Sequence, residues 1–281
     1  KRTWYWSSCS LETRCPPCNK VPVLSMDKEQ LSTLSIAAPA YNEADCISEV
    51  VELWYHYLRR EPTLDAFEIV VCNDGSTDDT GTILKKLASM YSEVKVVEHK
   101  ENMGAAAALT TAINKTSFDW VFLLDADGQF PIDNLEFFRA AMEDLPSRAY
   151  IGVRSKKQDS VFARFGSWSS GALCNLFLGT NYRDFNSACK LINGEVLRWL
   201  HIEAKGLNYS TDITAKLIEA NYIPVEVNIR HETRISGESS HTFIRNALHR
   251  FLFVGYLIVR KVLIRLKVLQ CSSELLDRPH S

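Results

Sequence analysis

Trp120-Val121-Phe122-Leu123-Leu124-Asp125-Ala126-Asp127-Gly128-Gln129-Phe130 is the stretch on which the reading of this chain turns. The uncharged run Val121 to Leu124 reads as a strand buried on both faces, and the carboxylates come where the chain would leave the sheet. In an open α/β sheet, ligands gather beyond the carboxyl ends of the strands. Two aspartates one residue apart at such an end could share one divalent cation, because hard cations take carboxylate oxygens and Mg²⁺ usually keeps waters and substrate phosphates as well. A polar turn closing a strand has the same composition, so the meaning of Asp125 and Asp127 depends on what the rest of the chain supplies.

Upstream of that stretch the chain alternates strands and helices. Leu34 to Ala38 reads as a short strand broken by Pro39, followed by Ala40-Tyr41-Asn42-Glu43. Ile47, Val50, Val51, Leu53, Trp54 and Leu58 then recur at helical spacing. Phe67 to Val71 is a second strand, and the polar loop Asn73-Asp74-Gly75-Ser76-Thr77-Asp78-Asp79 leads into a helix over Thr80 to Met90. A helix cap accounts for Thr77 or Asp78 but not for so many polar groups together, which favours contact with a ligand. A third strand, Val94 to Val97, leads through Asn102-Met103-Gly104 to an alanine-rich helix ending near Ile113. Three such units before an acidic strand end predict a mostly parallel, right-handedly connected sheet with helices on both faces.

Downstream, the pattern predicts a helix over Asp133 to Met142 and a strand over Ala149 to Val153 that runs into Arg154. A long helix from Val161 to Leu178 carries Arg164 near its start. Arg183-Asp184-Phe185-Asn186-Ser187 precedes a strand over Ala188 to Ile192, and a last unit places a helix at Asp212 to Ala220 and a strand at Ile223 to Ile229. The polar segment from His231 to Ser240 holds Arg234, Gly237 and Ser239; its guanidinium and hydroxyls could cover phosphates, or the segment could be a solvated linker.

The chain has 281 residues, 46% of them hydrophobic and 23% charged, which is enough for a large α/β domain and excludes disorder over most of its length. A net charge of -2 argues against a nucleic-acid partner. Cys46, Cys72, Cys174 and Cys189 fall in apolar segments and read as reduced core thiols of a cytoplasmic protein. Cys15 and Cys18 could be half of a zinc site or a redox pair, but no second pair stands at zinc-finger spacing, and residues 1–32 read as an extension outside the fold. No apolar run is long enough to span a bilayer. Phe243 to Val268 reads as amphipathic helix with Arg245, Arg250, Arg260, Lys261, Arg265 and Lys267 and no acidic residue. Such a helix suits an anionic membrane surface; it could equally pack on the domain, or on a second copy, which would make the protein a homo-oligomer.

Taken together, Pro39-Ala40-Tyr41-Asn42-Glu43, Asn73 to Asp78, Asn102-Met103-Gly104, Asp125-Ala126-Asp127-Gly128-Gln129, Asp184 to Lys190 and Arg234-x-x-Gly-x-Ser239 resemble glycosyltransferase family 2. Within it they are similar to the polyprenyl-phosphate sugar transferases related to dolichol-phosphate mannose synthase. The resemblance implies a GT-A catalytic domain over residues 33–242, with a basic amphipathic helix and tail over 243–281. It implies a nucleoside diphosphate sugar, of GDP-mannose or UDP-glucose type, held by Pro39, Tyr41, Glu43, Asp74, Gly104, Asp125 and Ala126. Mg²⁺ or Mn²⁺ would sit on Asp125, Asp127 and Gln129, stabilising charge on the leaving nucleotide. Arg154, Arg164 and Arg183, with Ser239, would receive the phosphate of a polyprenyl-phosphate acceptor, while Arg234 closes over the phosphates. For a hydroxyl acceptor instead, Asp184 is the candidate base. Lys190 departs from the arginine of many relatives. Many bacterial relatives continue into transmembrane helices, so this chain is expected to be peripheral, at the cytoplasmic face of a membrane.

Overall fold

The computed structural model describes residues 30–154, 161–204, 206–233, 252–253 and 255–260, with backbone alone along 161–169 and at 207. In order, the elements are β1 (Thr33–Ala40), α1 (Ile47–Arg60), β2 (Ala66–Asn73), α2 (Thr80–Met90), β3 (Val94–Glu98), α3 (Ala105–Ile113) and β4 (Trp120–Leu123). There follow α4 (Asn134–Asp144), β5 (Ala149–Arg154), α5 (Val161–Leu178), β6 (Lys190–Asn193), α6 (Gly194–Trp199), a 3₁₀ turn (Gly206–Asn208), α7 (Tyr209–Glu219) and β7 (Val225–Ile229). The seven strands make one sheet in the order β3-β2-β1-β4-β6-β5-β7. The centre is apolar on both faces: every residue of β4 is buried, as are Ile36, Ala37 and Ala38 in β1 and Ile69 to Cys72 in β2. α1 lays Ile47, Val50, Val51, Trp54 and Leu58 on this core, each such side chain contributing about 1.5–3 kcal/mol of burial.

One expectation changes. β1 does not stop at Pro39; it stays paired to β2 through Ala40. The Ala37 carbonyl accepts from Leu124 and the Ala40 carbonyl from Asp74, so alternate residues face β4 and β2. Pro39 faces the β4 side, beyond the last paired residue Ala37, and its missing N–H interrupts no ladder bond. The sheet is mostly parallel, as expected, with one reversed strand. β1 runs parallel to β2 and β4, β2 to β3 and β5 to β7, as expected, but β6 is antiparallel to both β4 and β5. A strand that enters in reverse enters from the carboxyl rim of its neighbours. The segment before β6 therefore lies on the same rim as the segment after β4.

At the opposite end of the sheet a buried acid, Glu68, ties three strands together. It accepts from Ser35 Oγ at 2.7 Å, from the Ser117 N–H at 2.6 Å and from Lys95 Nζ at 2.5 Å. The end of β7 is fixed to the start of α4 by a reciprocal pair: Asn134 Nδ2 donates to the Arg230 carbonyl at 3.0 Å and Arg230 N–H to Asn134 Oδ1 at 2.8 Å.

Residues 255–260 are helical, and Arg260 follows the domain-packed one of the placements open for this helix. Its guanidinium is turned onto the domain and is 6% exposed, pairing with Glu203 Oε2 at 3.3 Å and with Glu219 of α7. Two carboxylates on the domain outbid solvent for it, and Leu257 is buried beside it. Leu252, Tyr256 and Val259 face outward. Cys15, Cys18 and most of 243–281 lie outside the described residues. Among the described residues no helix is long and apolar enough to cross a membrane. Cys46, Cys72, Cys174 and Cys189 are buried free thiols, as expected, and burial pushes those of Cys72 and Cys174 up to about 12.

Candidate active site

The loops after β1 and β2 are laced into one surface. The Asn42 N–H donates to Ser76 Oγ at 3.0 Å, the Thr77 N–H returns to Asn42 Oδ1 at 2.8 Å, the Glu43 N–H reaches Thr80 Oγ1 at 2.9 Å and the Ala44 N–H reaches Asp78 Oδ2 at 3.1 Å. Asn42 adopts a left-handed φ of 55°, which this short polar side chain tolerates. Ser76, Thr77 and Asp78 thus shape the loop pair that carries Tyr41 and Glu43. Tyr41 is 37% exposed at its edge, while Glu43 is half-buried, with Oε2 3.4 Å from Cys46 Sγ. The same sulfur lies 3.8 Å from the Ala126 carbonyl, so this loop touches the segment after β4.

Asp74 is buried, and both of its oxygens hold the chain ahead of α3. Oδ1 accepts from the Met103 N–H at 2.9 Å and Oδ2 from the Gly104 N–H at 2.8 Å. His99 Nδ1 lies 2.7 Å from Oδ1, and its Nε2 lies 2.9 Å from Thr111 Oγ1. Gly104, at φ 92°, takes a conformation that an L side chain would strain. Asp74, which the resemblance makes a ligand of the nucleoside, also clamps the Asn102–Gly104 loop. His99 was missed; in sequence it is one polar residue at a strand end, with nothing to mark its partner.

Past β4 the chain leaves the sheet through Asp125 and Asp127. Asp127 is 3% exposed and its Oδ1 accepts from the Gln129 N–H at 3.0 Å, closing a turn whose Gly128 has φ 75°. The Gln129 carbonyl in turn accepts from the Glu232 N–H at 2.9 Å. Asp125 Oδ1 accepts from the Tyr209 hydroxyl at 2.5 Å. Burial, then the charge of Asp125, pushes the Tyr209 phenol well above its usual range, so it stays a donor. Among the described residues no group of three or more His, Cys, Asp or Glu side chains could hold a metal. Two carboxylates suit a cation that completes its shell with substrate phosphate and water, as Mg²⁺ commonly does. They do not suit a resident metal held by protein alone.

The reversed direction of β6 brings Lys190 and the Arg183–Asp184 segment to the same rim. Lys190, the first residue of β6, is paired with Leu123 of β4 and Ile151 of β5. It is fully buried, donates to the Ser187 carbonyl at 2.6 Å, and burial pushes its amine down to about 7 against the opposing pull of Asp184. Asp184 accepts from Arg154 at two points, Nε to Oδ2 at 2.8 Å and Nη2 to Oδ1 at 3.1 Å. Arg183 is drawn away: its Nε pairs with Glu226 Oε2 of β7 at 3.0 Å and its N–H donates to Oε1 at 2.6 Å. Arg164 lies in α5, on a stretch described by backbone alone. Arg234 and Ser239 lie outside the described residues, which run to Thr233, just past the Glu232 bond to Gln129.

A seven-stranded sheet with its polar loops gathered on one rim is the architecture of GT-A glycosyltransferases. Glucosyl-3-phosphoglycerate synthase from Mycobacterium tuberculosis, crystallised with phosphoglyceric acid, superposes with a TM-score of 0.60 at 18% identity over 82% of this chain and 80% of its own. Mannosyl-3-phosphoglycerate synthase from Rubrobacter xylanophilus gives 0.59 at 17% identity, over 85% and 76%. The model for glycosyl transferase family 2 matches residues 35–199, more than half of the chain, and the chain belongs to that family. Among its relatives are a dolichyl-phosphate beta-glucosyltransferase of Trichomonas vaginalis (24% identical, over 78% of this chain and 70% of the relative) and that of Mus musculus (23%, 77% and 77%). An undecaprenyl-phosphate 4-deoxy-4-formamido-L-arabinose transferase of Edwardsiella ictaluri is 26% identical, over 78% of this chain and 66% of the relative.

Proposed function

We propose that this glycosyltransferase transfers a hexosyl group, with inversion, from a nucleoside diphosphate sugar to a polyprenyl phosphate at a membrane surface, on its cytoplasmic face. The observation that carries this reading is the meeting, on one rim, of the Asp125–Asp127 strand end with the Arg154–Asp184 pair. One half offers carboxylates for a cation and the other an arginine for an anionic acceptor. The names of its relatives, which use dolichyl or undecaprenyl phosphate, support the same class of acceptor.

In this reading the laced loops carrying Pro39, Tyr41 and Glu43 hold the nucleoside, and Asp74 acts by holding Gly104 against the diphosphate. Asp125 and Asp127, with Gln129, hold Mg²⁺ or Mn²⁺. Such a cation supplies stabilisation of the charge that builds on the departing diphosphate. Arg154, with Arg164 and the Arg234 to Ser239 segment, orients the acceptor phosphate. A phosphate oxygen of the acceptor bonds to the anomeric carbon as the bond from that carbon to the diphosphate breaks. The acceptor arrives already ionised, so the protein's task is orientation more than proton removal. The alternative, a hydroxyl acceptor with Asp184 as base, is disfavoured by the two-point hold of Arg154 on that buried carboxylate.

The test is incorporation of radiolabelled sugar into a lipid extract. Label from a GDP- or UDP-sugar should enter polyprenyl phosphate in the presence of Mn²⁺ or Mg²⁺. No lipid label with any donor would remove the lipid acceptor.

A further inference from the structure

We propose that Tyr209 is a positioning residue for Asp125, and that the start of α7 is thereby part of the donor site although it contributes no acid or base. The inference rests on the reading of Asp125 as a cation ligand.

The phenol is 4% exposed and gives its hydrogen bond to Asp125 Oδ1 at 2.5 Å, at the short end for an O–H donor on a carboxylate. Phenylalanine would fill the same apolar space, so the hydroxyl is there for the carboxylate. The helix that delivers it is held on several sides. Ser210 Oγ donates to the Phe185 carbonyl at 3.3 Å and to that of Ser187, Thr211 Oγ1 donates to Asn186 Oδ1 at 2.7 Å, and Asp212 Oδ2 accepts from the Glu203 and Ala204 N–H groups at 2.7 and 2.9 Å. The turn just before it passes the start of α3: a Cβ placed on Gly104 would lie 3.8 Å from the Gly206 nitrogen. The start of α7 and the turn before it therefore meet the Asp125 carboxylate, the Gly104 corner and the segment containing Asp184. Hydrogen-bond partners that orient a ligating carboxylate typically govern metal affinity or activity by 10- to 100-fold.

Mn²⁺ binding to the full chain with saturating UDP or GDP, read by the loss of the free-ion paramagnetic resonance signal beyond that caused by the same nucleotide without protein, tests this without turnover. Tyr209→Phe should weaken Mn²⁺ binding by about tenfold or more. Tyr150→Phe is the control, since that buried phenol donates to the Leu145 carbonyl away from the site and its loss should leave Mn²⁺ binding unchanged. Unchanged binding in Tyr209→Phe, with Asp125→Ala no longer binding, overturns the positioning role and leaves the reading of Asp125 intact. Wild-type binding in Asp125→Ala, or none in wild type with either nucleotide, overturns both. Phenylalanine keeps the packing, and a thermal melt of each variant verifies that it is folded.

Discussion

Arg154 and Asp184 grip each other at two points on the rim of the sheet, at 2.8 and 3.1 Å, with the Asp184 side chain fully buried and that of Arg154 11% exposed. One comes from the end of β5 and the other from the lead-in to β6. Removing one charge strands the other in a low-dielectric place, which typically costs about 3–5 kcal/mol. Asp184→Asn should lose stability on that scale in urea denaturation. The folded fraction should keep part of its lipid transfer, whereas a hydroxyl-acceptor enzyme would lose all of it. A variant as stable as wild type would show that the pair does not hold this corner.

Asp127→Ala removes a carboxylate but little packing. The turn loses its bond to the Gln129 N–H, and a bond to a carboxylate contributes about 1.5–3 kcal/mol, so the melting temperature should fall while the chain stays folded. Transfer should fall by about 100-fold or more, the scale of losing a preorganised electrostatic partner. Retained metal-dependent transfer in this variant would remove Asp127 from the cation site.

For Asp74 the expected loss is in both stability and donor use. Asp74→Ala releases the Met103 and Gly104 N–H groups and His99 together, and bonds to an ionised carboxylate contribute about 1.5–3 kcal/mol each. The displaced loop should lower kcat/KM for the donor sugar by about 10- to 100-fold. Steady-state kinetics with varied donor would check it; an unchanged donor kcat/KM would mean that the loop does not meet the nucleotide.

Glu68 sets part of the acid limb of stability. Burial alone would raise its carboxyl, but hydrogen bonds from Lys95, Ser35 and Ser117 outweigh that and hold it below its usual value. The unfolded chain therefore takes the proton first as pH falls. Stability from Glu68 is complete above about pH 4.5, the ordinary glutamate range, and is lost as pH falls through the lower folded value. Thermal melts between pH 3 and 6 should show a shallower acid dependence in Glu68→Gln than in wild type. Equal slopes would mean that the carboxylate is not held ionised in the fold.

Much of the part of the site built from the loops after β1, β2 and β4 was legible in the sequence, because its residues sit in loops that directly follow strands and are marked by local composition. Asp74, Gly104, Asp125 and Asp127 fall where strand–loop–helix reading puts them. Asp74 nevertheless acts through the Met103 and Gly104 N–H groups, a contact across 29 and 30 residues that no local pattern announces. His99 and Tyr209 had no signal at all. A histidine at a strand end and a tyrosine opening a helix are ordinary packing residues until the fold supplies a carboxylate.

The sequence by itself determined the strands and every longer helix (though not the short α6), the parallel β1, β2, β3 and β4 core, and the acidic end of β4. These follow from periodicity and turn chemistry, which act over a few residues. Tertiary structure alone decided that β6 runs antiparallel between β4 and β5. Apolar content says that a strand is buried but not which way it points. That direction brings Asp184 and Lys190 back to the rim where Asp125 lies, and packing α7 against the same segment lets Tyr209 reach a carboxylate 84 residues away. Closing so long a loop costs only logarithmically more than closing a short one, so separation along the chain does not limit which residues meet.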